Sequence, residues 1–285
     1  MKFAPVALVA LSIAVTAAPA EAQAPAAADW RTPDPENVLV VETNKGRIIV
    51  ELTPNAAPAH VERYRTLARR GFYDGLTFFR VIEGFMDQTG DPNNDGTGGS
   101  DLPDMQAEFP FRRGPQGVFT QTGKLGPDNQ ITSSTEVGFL DGLPIRSLPS
   151  MQMMMTADGK VTSWGLFCAG VLGAARSGDP NSANSQFFFM RGPYPSLDGD
   201  YTAFGRVISG MEVVRAIKVG EPVAAPQDVM KTVRVLADIP ATQRPKIQVM
   251  TTNGPAFKAL LDAAKARAGS SPVHPCDIEI PSKIG

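Results

Sequence analysis

The chain has 285 residues, a formal net charge of -2 and 42% hydrophobic residues. That length holds one large domain or two small ones, and the hydrophobic content suits a globular protein with a real core. The near-neutral balance, with a pI of about 5.8, argues against the clustered basic surface of a nucleic-acid binder.

The first segment reads as a targeting signal. Lys2 supplies a positive start, residues 3–18 are apolar and alanine-rich, and Ala20-Glu21-Ala22 is a small-x-small cleavage site. Cleavage after Ala22 is expected, leaving a monomer in the periplasm or outside the cell. The apolar run is shorter than the ~20 residues needed to span a bilayer, and no other segment is long enough, so no membrane span is expected. Residues 23–37, rich in Ala and Pro, read as a linker.

Residues 38–42 and 47–52 form a hairpin around Thr43-Asn44-Lys45-Gly46. A helix follows at about 58–70, with Pro58 in its first turn and Val61, Tyr64, Leu67 and Ala68 on one face. Gly71 ends it. Residues 76–86 read as strand with a break at Gly84, and 90–99 as a loop. Residues of about 110–165 form an insertion rich in Gly, Pro, Ser and Thr, carrying Met151, Met153, Met154 and Met155. These methionines either pack the insertion onto the rest, the preferred reading, or form an adaptable binding surface. Further strands fall at 171–175, 186–190, 202–208 and 229–237, with a short helix at 211–218. Residues 240–285 are a C-terminal extension with an amphipathic stretch at 256–268. Short strands with two moderate helices make the fold mainly β, a closed antiparallel barrel capped by two α-helices over residues 38–239.

Cys168 and Cys276 are the two cysteines. In an oxidising compartment they either form one disulfide across a loop of about a hundred residues or stay as unpaired thiols. His60 lies in a polar helical run and reads as a surface residue, and neither it nor His274 has partners at metal-ligand spacing. No metal, no cofactor and no histidine chemistry are expected.

The run Phe78-x-Arg80-Val81-Ile82-x-Gly84-Phe85-Met86-x-Gln88-x-Gly90-Asp91 holds an arginine, apolar side chains and an amide, with no nucleophile beside a base. Asn181 to Phe188, Leu197-Asp198-Gly199 and Phe204 to Met211 follow. On these motifs the chain resembles the cyclophilin-type peptidyl-prolyl isomerases over roughly 38–237. The resemblance implies rotation of X–Pro bonds in prolyl segments of folding or unfolded exported proteins. It makes Arg80 the catalytic arginine, oriented by Gln88, and it assigns Phe85, Met86, Phe188 and Leu197 to the walls around the proline ring. Gln186 and Ala175 match peptide-contact positions, Arg176 stands where many members carry asparagine, and Gly96 lines the neighbouring pocket. Tyr201 stands where eukaryotic members have histidine, and Ser196 where some have a tryptophan that helps bind cyclosporin, so weak cyclosporin binding is expected.

Overall fold

In the computed structural model, which describes residue 1 and residues 26–126, 134–269 and 273–285, regular structure begins earlier than the sequence suggests. β1 (Trp30–Arg31) lies inside the segment read as a linker. Trp30 is drawn into an apolar cluster built largely from the other end of the chain, because a large indole gains by burial wherever a partner surface exists. The signal segment and its cleavage point lie outside the described residues.

β2 (Val38–Thr43) and β3 (Arg47–Leu52) form the expected hairpin. Both are apolar nearly throughout, because alternate residues feed two cores. Leu39, Val41, Ile48, Val50 and Leu52 face the main core, while Val38, Val40 and Ile49 face the C-terminal extension. α1 (Pro58–Arg69) lays Val61, Tyr64, Leu67 and Ala68 on the main core, and Gly71, at φ +65, turns the chain after it. His60 is fully buried, not on the surface as its polar neighbours imply. The cause is the helix start, which leaves unpaired N–H groups. The Glu108 carboxylate accepts from the backbone N–H of Ala59 and His60, each at 3.0 Å, and lies 2.6 Å from His60 Nδ1.

β4 (Arg80–Ile82) and β5 (Met86–Thr89) follow. The insertion forms its own antiparallel sheet of β6 (Phe111–Arg113), β7 (Phe119–Leu125), β8 (Thr135–Leu140), β9 (Leu143–Ser147) and β10 (Val161–Gly165), in the order β6-β10-β9-β8-β7. Then come β11 (Val171–Ala174), β12 (Phe187–Met190), β13 (Ala203–Ser209), the short α2 (Met211–Ala216) and β14 (Met230–Val235). The main sheet runs β14-β2-β3-β13-β11-β12-β5-β4. It is antiparallel and mainly β as expected, and a continuous strand ladder does not close it into a barrel. No ladder joins the outer strands β14 and β4; the seam holds isolated bridges, Thr77 to Val229 and Val81 to Gly220. Prolines at 222 and 226 lie in the segment along this seam, and a proline has no N–H to give to a ladder.

The chain ends with β15 (Ile247–Met250), α3 (Pro255–Ala268) and β16 (Ser282–Ile284). α3 is a third helix beyond the two expected caps. β1, β15 and β16 form a three-stranded sheet that covers the outer face of the β2–β3 hairpin. Cys168 and Cys276 are bonded to each other, fixing the extension to the body. The insertion methionines do not pack it down: Met151, Met154 and Met155 are exposed. Val137, Leu140, Leu143 and Ile145 do that instead. No helix among the described residues is long and apolar enough to cross a membrane.

Candidate active site

Strand register assembles the site. Arg80 on β4 faces Gln88 on β5, which faces Phe188 on β12, which faces Gly173 on β11. Residues opposite one another across strands share a face, so these four form one row on the outer side of the sheet. Ile82, Met86 and Met190 form the next row on the same face. The alternate residues Val81, Phe189 and Leu172 point into the main core. The run Phe187-Phe188-Phe189 therefore divides, with its middle ring alone at the site.

A chain of hydrogen bonds crosses the upper row. Arg80 Nη1 donates to Gln88 Oε1 at 3.3 Å, and Gln88 Nε2 donates to Gln186 Oε1 at 2.9 Å. Gln186 Nε2 donates onward to the carbonyls of Gly98 at 2.8 Å and Gly96 at 3.2 Å. Each amide uses its oxygen toward Arg80 and its nitrogen toward the loop, so the guanidinium is oriented without a carboxylate in the row. Asp91, fully buried, holds the same loop by accepting from the N–H groups of Asn93, Asp95 and Gly96.

A carboxylate does reach Arg80 from outside the motif. Glu221 Oε1 accepts from Arg80 Nε at 2.5 Å, with both side chains more than a third exposed. Arg80 Nη2 has no hydrogen-bond partner among the described residues.

The apolar wall lies beside this row. Met86, Phe188 and Leu197 are buried, and Phe85, Ala175 and Tyr201 are partly buried against them. The Phe188 ring lies edge-on to Tyr201 at 6.0 Å. Two residues not foreseen from the sequence complete the wall. Phe167 packs 5.9 Å from Phe188 and 6.5 Å from Tyr201, and Tyr194 lies 4.3 Å from the Phe85 ring. Val137, Leu140, Leu143 and Ile145 of the insertion belong to the same cluster, so the insertion backs the pocket.

Arg176 is held over Tyr201, its guanidinium 4.3 Å from the ring centroid. It donates to the Asp200 carbonyl from Nε and Nη2 and to the Ser177 carbonyl from Nη1, so its donors are engaged within the protein. Arg176, Ala175, Gln88, Gln186, Gly96 and Asp104 line a cavity of about 450 Å³ beside the wall.

Beneath the row, Asp87 is fully buried and paired with Arg191 Nη1 at 2.9 Å. Burial pushes its carboxyl up to about 7, against the opposing pull of Arg191. Away from the site, Cys168, His274 and Cys276 bring their ligand atoms within 4.8 Å of one another. Sequence spacing hid this group, because Cys168 comes from a distant strand connection. The two sulfurs are bonded to each other, which leaves no thiolate to offer.

The sequence profile described as cyclophilin type peptidyl-prolyl cis-trans isomerase/CLD matches residues 38–237. A probable peptidyl-prolyl cis-trans isomerase of Brucella suis biovar 1 is 36% identical over 198 residues, covering 66% of this chain and 74% of that protein. A peptidyl-prolyl cis-trans isomerase-like 1 of Aspergillus oryzae is 33% identical over 177 residues, covering 62% of this chain and 79% of that protein. The crystal structure of cyclophilin AquaCyp293 from Hirschia baltica superposes with a TM-score of 0.79 at 36% identity, covering 90% of this chain and 93% of that one. With its profile match, its relatives and its fold in agreement, the chain belongs to the cyclophilin-type peptidyl-prolyl cis-trans isomerases, enzymes of the isomerase class.

Proposed function

We propose that the row Arg80–Gln88–Phe188 rotates X–Pro bonds without covalent chemistry. The barrier is ~18–20 kcal/mol because the amide is conjugated, and uncatalysed exchange takes tens to hundreds of seconds. No bond breaks, so neither nucleophile nor proton carrier is required. The site has to bind the twisted amide better than the planar one. As the amide twists, the prolyl nitrogen becomes pyramidal and gains an acceptor lone pair. Arg80 donates to it, held in place by Gln88 and Gln186, while Met86, Phe188, Leu197 and Tyr201 hold the proline ring. A guanidinium fixed beforehand needs no reorganisation at the transition state. The observation that carries this reading is the cross-strand alignment of Arg80, Gln88 and Phe188.

The test is turnover of a short X–Pro peptide by the mature protein and by Arg80→Ala. A rate enhancement that falls by two or more orders of magnitude in the variant supports the reading, whereas equal rates would discard it.

We further propose that the substrates are prolyl segments of exported proteins. The Lys2-led apolar run with Ala20-Glu21-Ala22 supports this, as does a disulfide, which persists in oxidising compartments. N-terminal sequencing of protein recovered from the envelope should begin at Gln23. An intact Met1 would remove this proposal.

A further inference from the structure

The segment Ser150–Met155, between β9 and β10, is a 3-10 helix with the sequence SMQMMM. Met151, Met154 and Met155 are 72%, 88% and 85% exposed, while Met153 is half-buried. Elsewhere Met86, Met105, Met190, Met230 and Met250 are buried and Met211 is half-buried, while Met1 is exposed.

Apolar area alone could be presented by any large aliphatic or aromatic side chain. Leucine, isoleucine and phenylalanine serve that purpose, and none occurs in the helix. These side chains share two properties that other apolar residues lack: a flexible unbranched stem, which also suits an adaptable apolar surface, and a thioether sulfur. Thioethers are soft donors that select Cu(I) over the harder divalent ions.

The geometry suits convergence on one ion. In a 3-10 helix, residues three apart eclipse each other at about 2.0 Å rise per residue. Met151 and Met154 therefore stack on one side about 6 Å apart, while Met155 starts a third of a turn away and reaches them through its own flexible side chain. Each side chain has three rotatable bonds and is free in solvent. The helix itself is pinned: Ser150 donates from N and Oγ to Glu136, at 3.0 and 2.6 Å. At the other end Thr156 Oγ1 donates to the carbonyls of Met153 and Lys160. The nearby Asp158 carboxylate is occupied by Arg112. Among the described residues no free cysteine competes for a soft metal.

We propose that Met151, Met154 and Met155 form a thioether site for a soft monovalent metal ion, Cu(I) or Ag(I). The site is separate from the isomerase groove and needs no proton release, because thioethers carry no proton.

The test uses Ag⁺, which requires no reductant and so leaves the disulfide intact. Ag⁺ is titrated by calorimetry in chloride-free buffer into the mature protein and into Met151→Leu/Met154→Leu/Met155→Leu. Leucine keeps the apolar volume and removes the sulfur. One Ag⁺ per chain is expected, with affinity at least about tenfold weaker in the triple variant and peptide isomerisation unchanged. Equal affinity in the two proteins, or no stoichiometric binding by the wild type, overturns the site and leaves an apolar patch. If the triple variant fails to fold, the three single leucine variants carry the test. At least two must each weaken Ag⁺ binding several-fold; if fewer do, the proposal is wrong.

Discussion

The ring of Phe188 closes directly on Gly173: a Cβ at 173 would stand 2.2 Å from Phe188 Cζ and 2.7 Å from Phe167 Cε1. The apolar wall thus depends on a missing side chain one strand away. Gly173→Ala should push both rings off their positions and cost roughly 1–3 kcal/mol of stability by overpacking. The peptide isomerisation rate should fall at least tenfold while Arg80 and its partners remain. Thermal unfolding and a peptide assay on the same preparation check both. Unaltered turnover would show that the ring's position does not matter.

Glu221 is the residue to remove next. Its ion pair with Arg80 is partly solvent-exposed on both sides, so it should contribute less than about 1 kcal/mol to folding. Its effect on turnover should be larger than its effect on stability, since it fixes Nε while Gln88 fixes Nη1. Glu221→Gln is expected to reduce kcat/KM a few-fold, chiefly in kcat, with an unchanged melting temperature. Added salt should shrink the difference, because screening weakens the wild-type pair.

Asp87 predicts a pH dependence. Its folded-state carboxyl titrates near 7 because of desolvation, with Arg191 acting against that and Glu83 and Asp228 adding to it. An unfolded carboxyl titrates near 3.9. Between those values the folded state holds a proton that the unfolded state has lost, so stability falls as pH rises, by up to about 1.4 kcal/mol per pH unit. His274, lowered by burial, acts in the opposite sense on acidification. The Asp87 contribution is therefore read as a difference. Urea midpoints from pH 5 to 8 should decline more steeply for wild type than for Asp87→Asn, and parallel slopes would contradict the assignment.

The Cys168–Cys276 bond closes a separation of 108 residues, for which the chain-entropy model gives a stabilisation of ~4–5 kcal/mol. Cys168 follows Phe167 of the wall directly, so the bond also steadies the pocket. Cys276→Ser should lower the denaturant midpoint by an amount in that range or below, and should lower kcat/KM in conditions where the chain remains folded. Dithiothreitol should bring the wild type to the level of the variant.

Some of this was legible in the chain and some was not. The hairpin, α1 and the strand carrying Arg80 follow from local alternation, turn residues and helical spacing, which act over a few positions. Arg80, Gln88, Gln186 and Phe188 were found because they sit inside long motifs. Glu221, Phe167 and Tyr194 were missed because they reach the site through tertiary packing and carry no local pattern. His60 was misplaced for the same reason: its burial is decided by Glu108, 48 residues away. The seam between β4 and β14, crossed by bridges and single backbone hydrogen bonds and not by a ladder, could not be seen either, since strand periodicity says nothing of which edges meet. The insertion was separable in sequence but is not separable in energy. Val137, Leu140, Leu143 and Ile145 share a cluster with Phe188 and Leu197, so deleting residues 112–164 would strip the backing of the apolar wall.

The terminal sheet has a consequence for how the molecule is born. β1 pairs with β15, and β15 with β16, so the first and last described strands share one structure. A ribosome or a translocation pore delivers these segments in order, and Trp30 has no sheet to join until residues beyond 247 have emerged. The outer face of the hairpin, with Val38, Val40 and Ile49, stays uncovered for the same interval. Covering of that face is thus timed by the arrival of residues 247–284, and a nascent chain halted before them would present a sticky face to its surroundings.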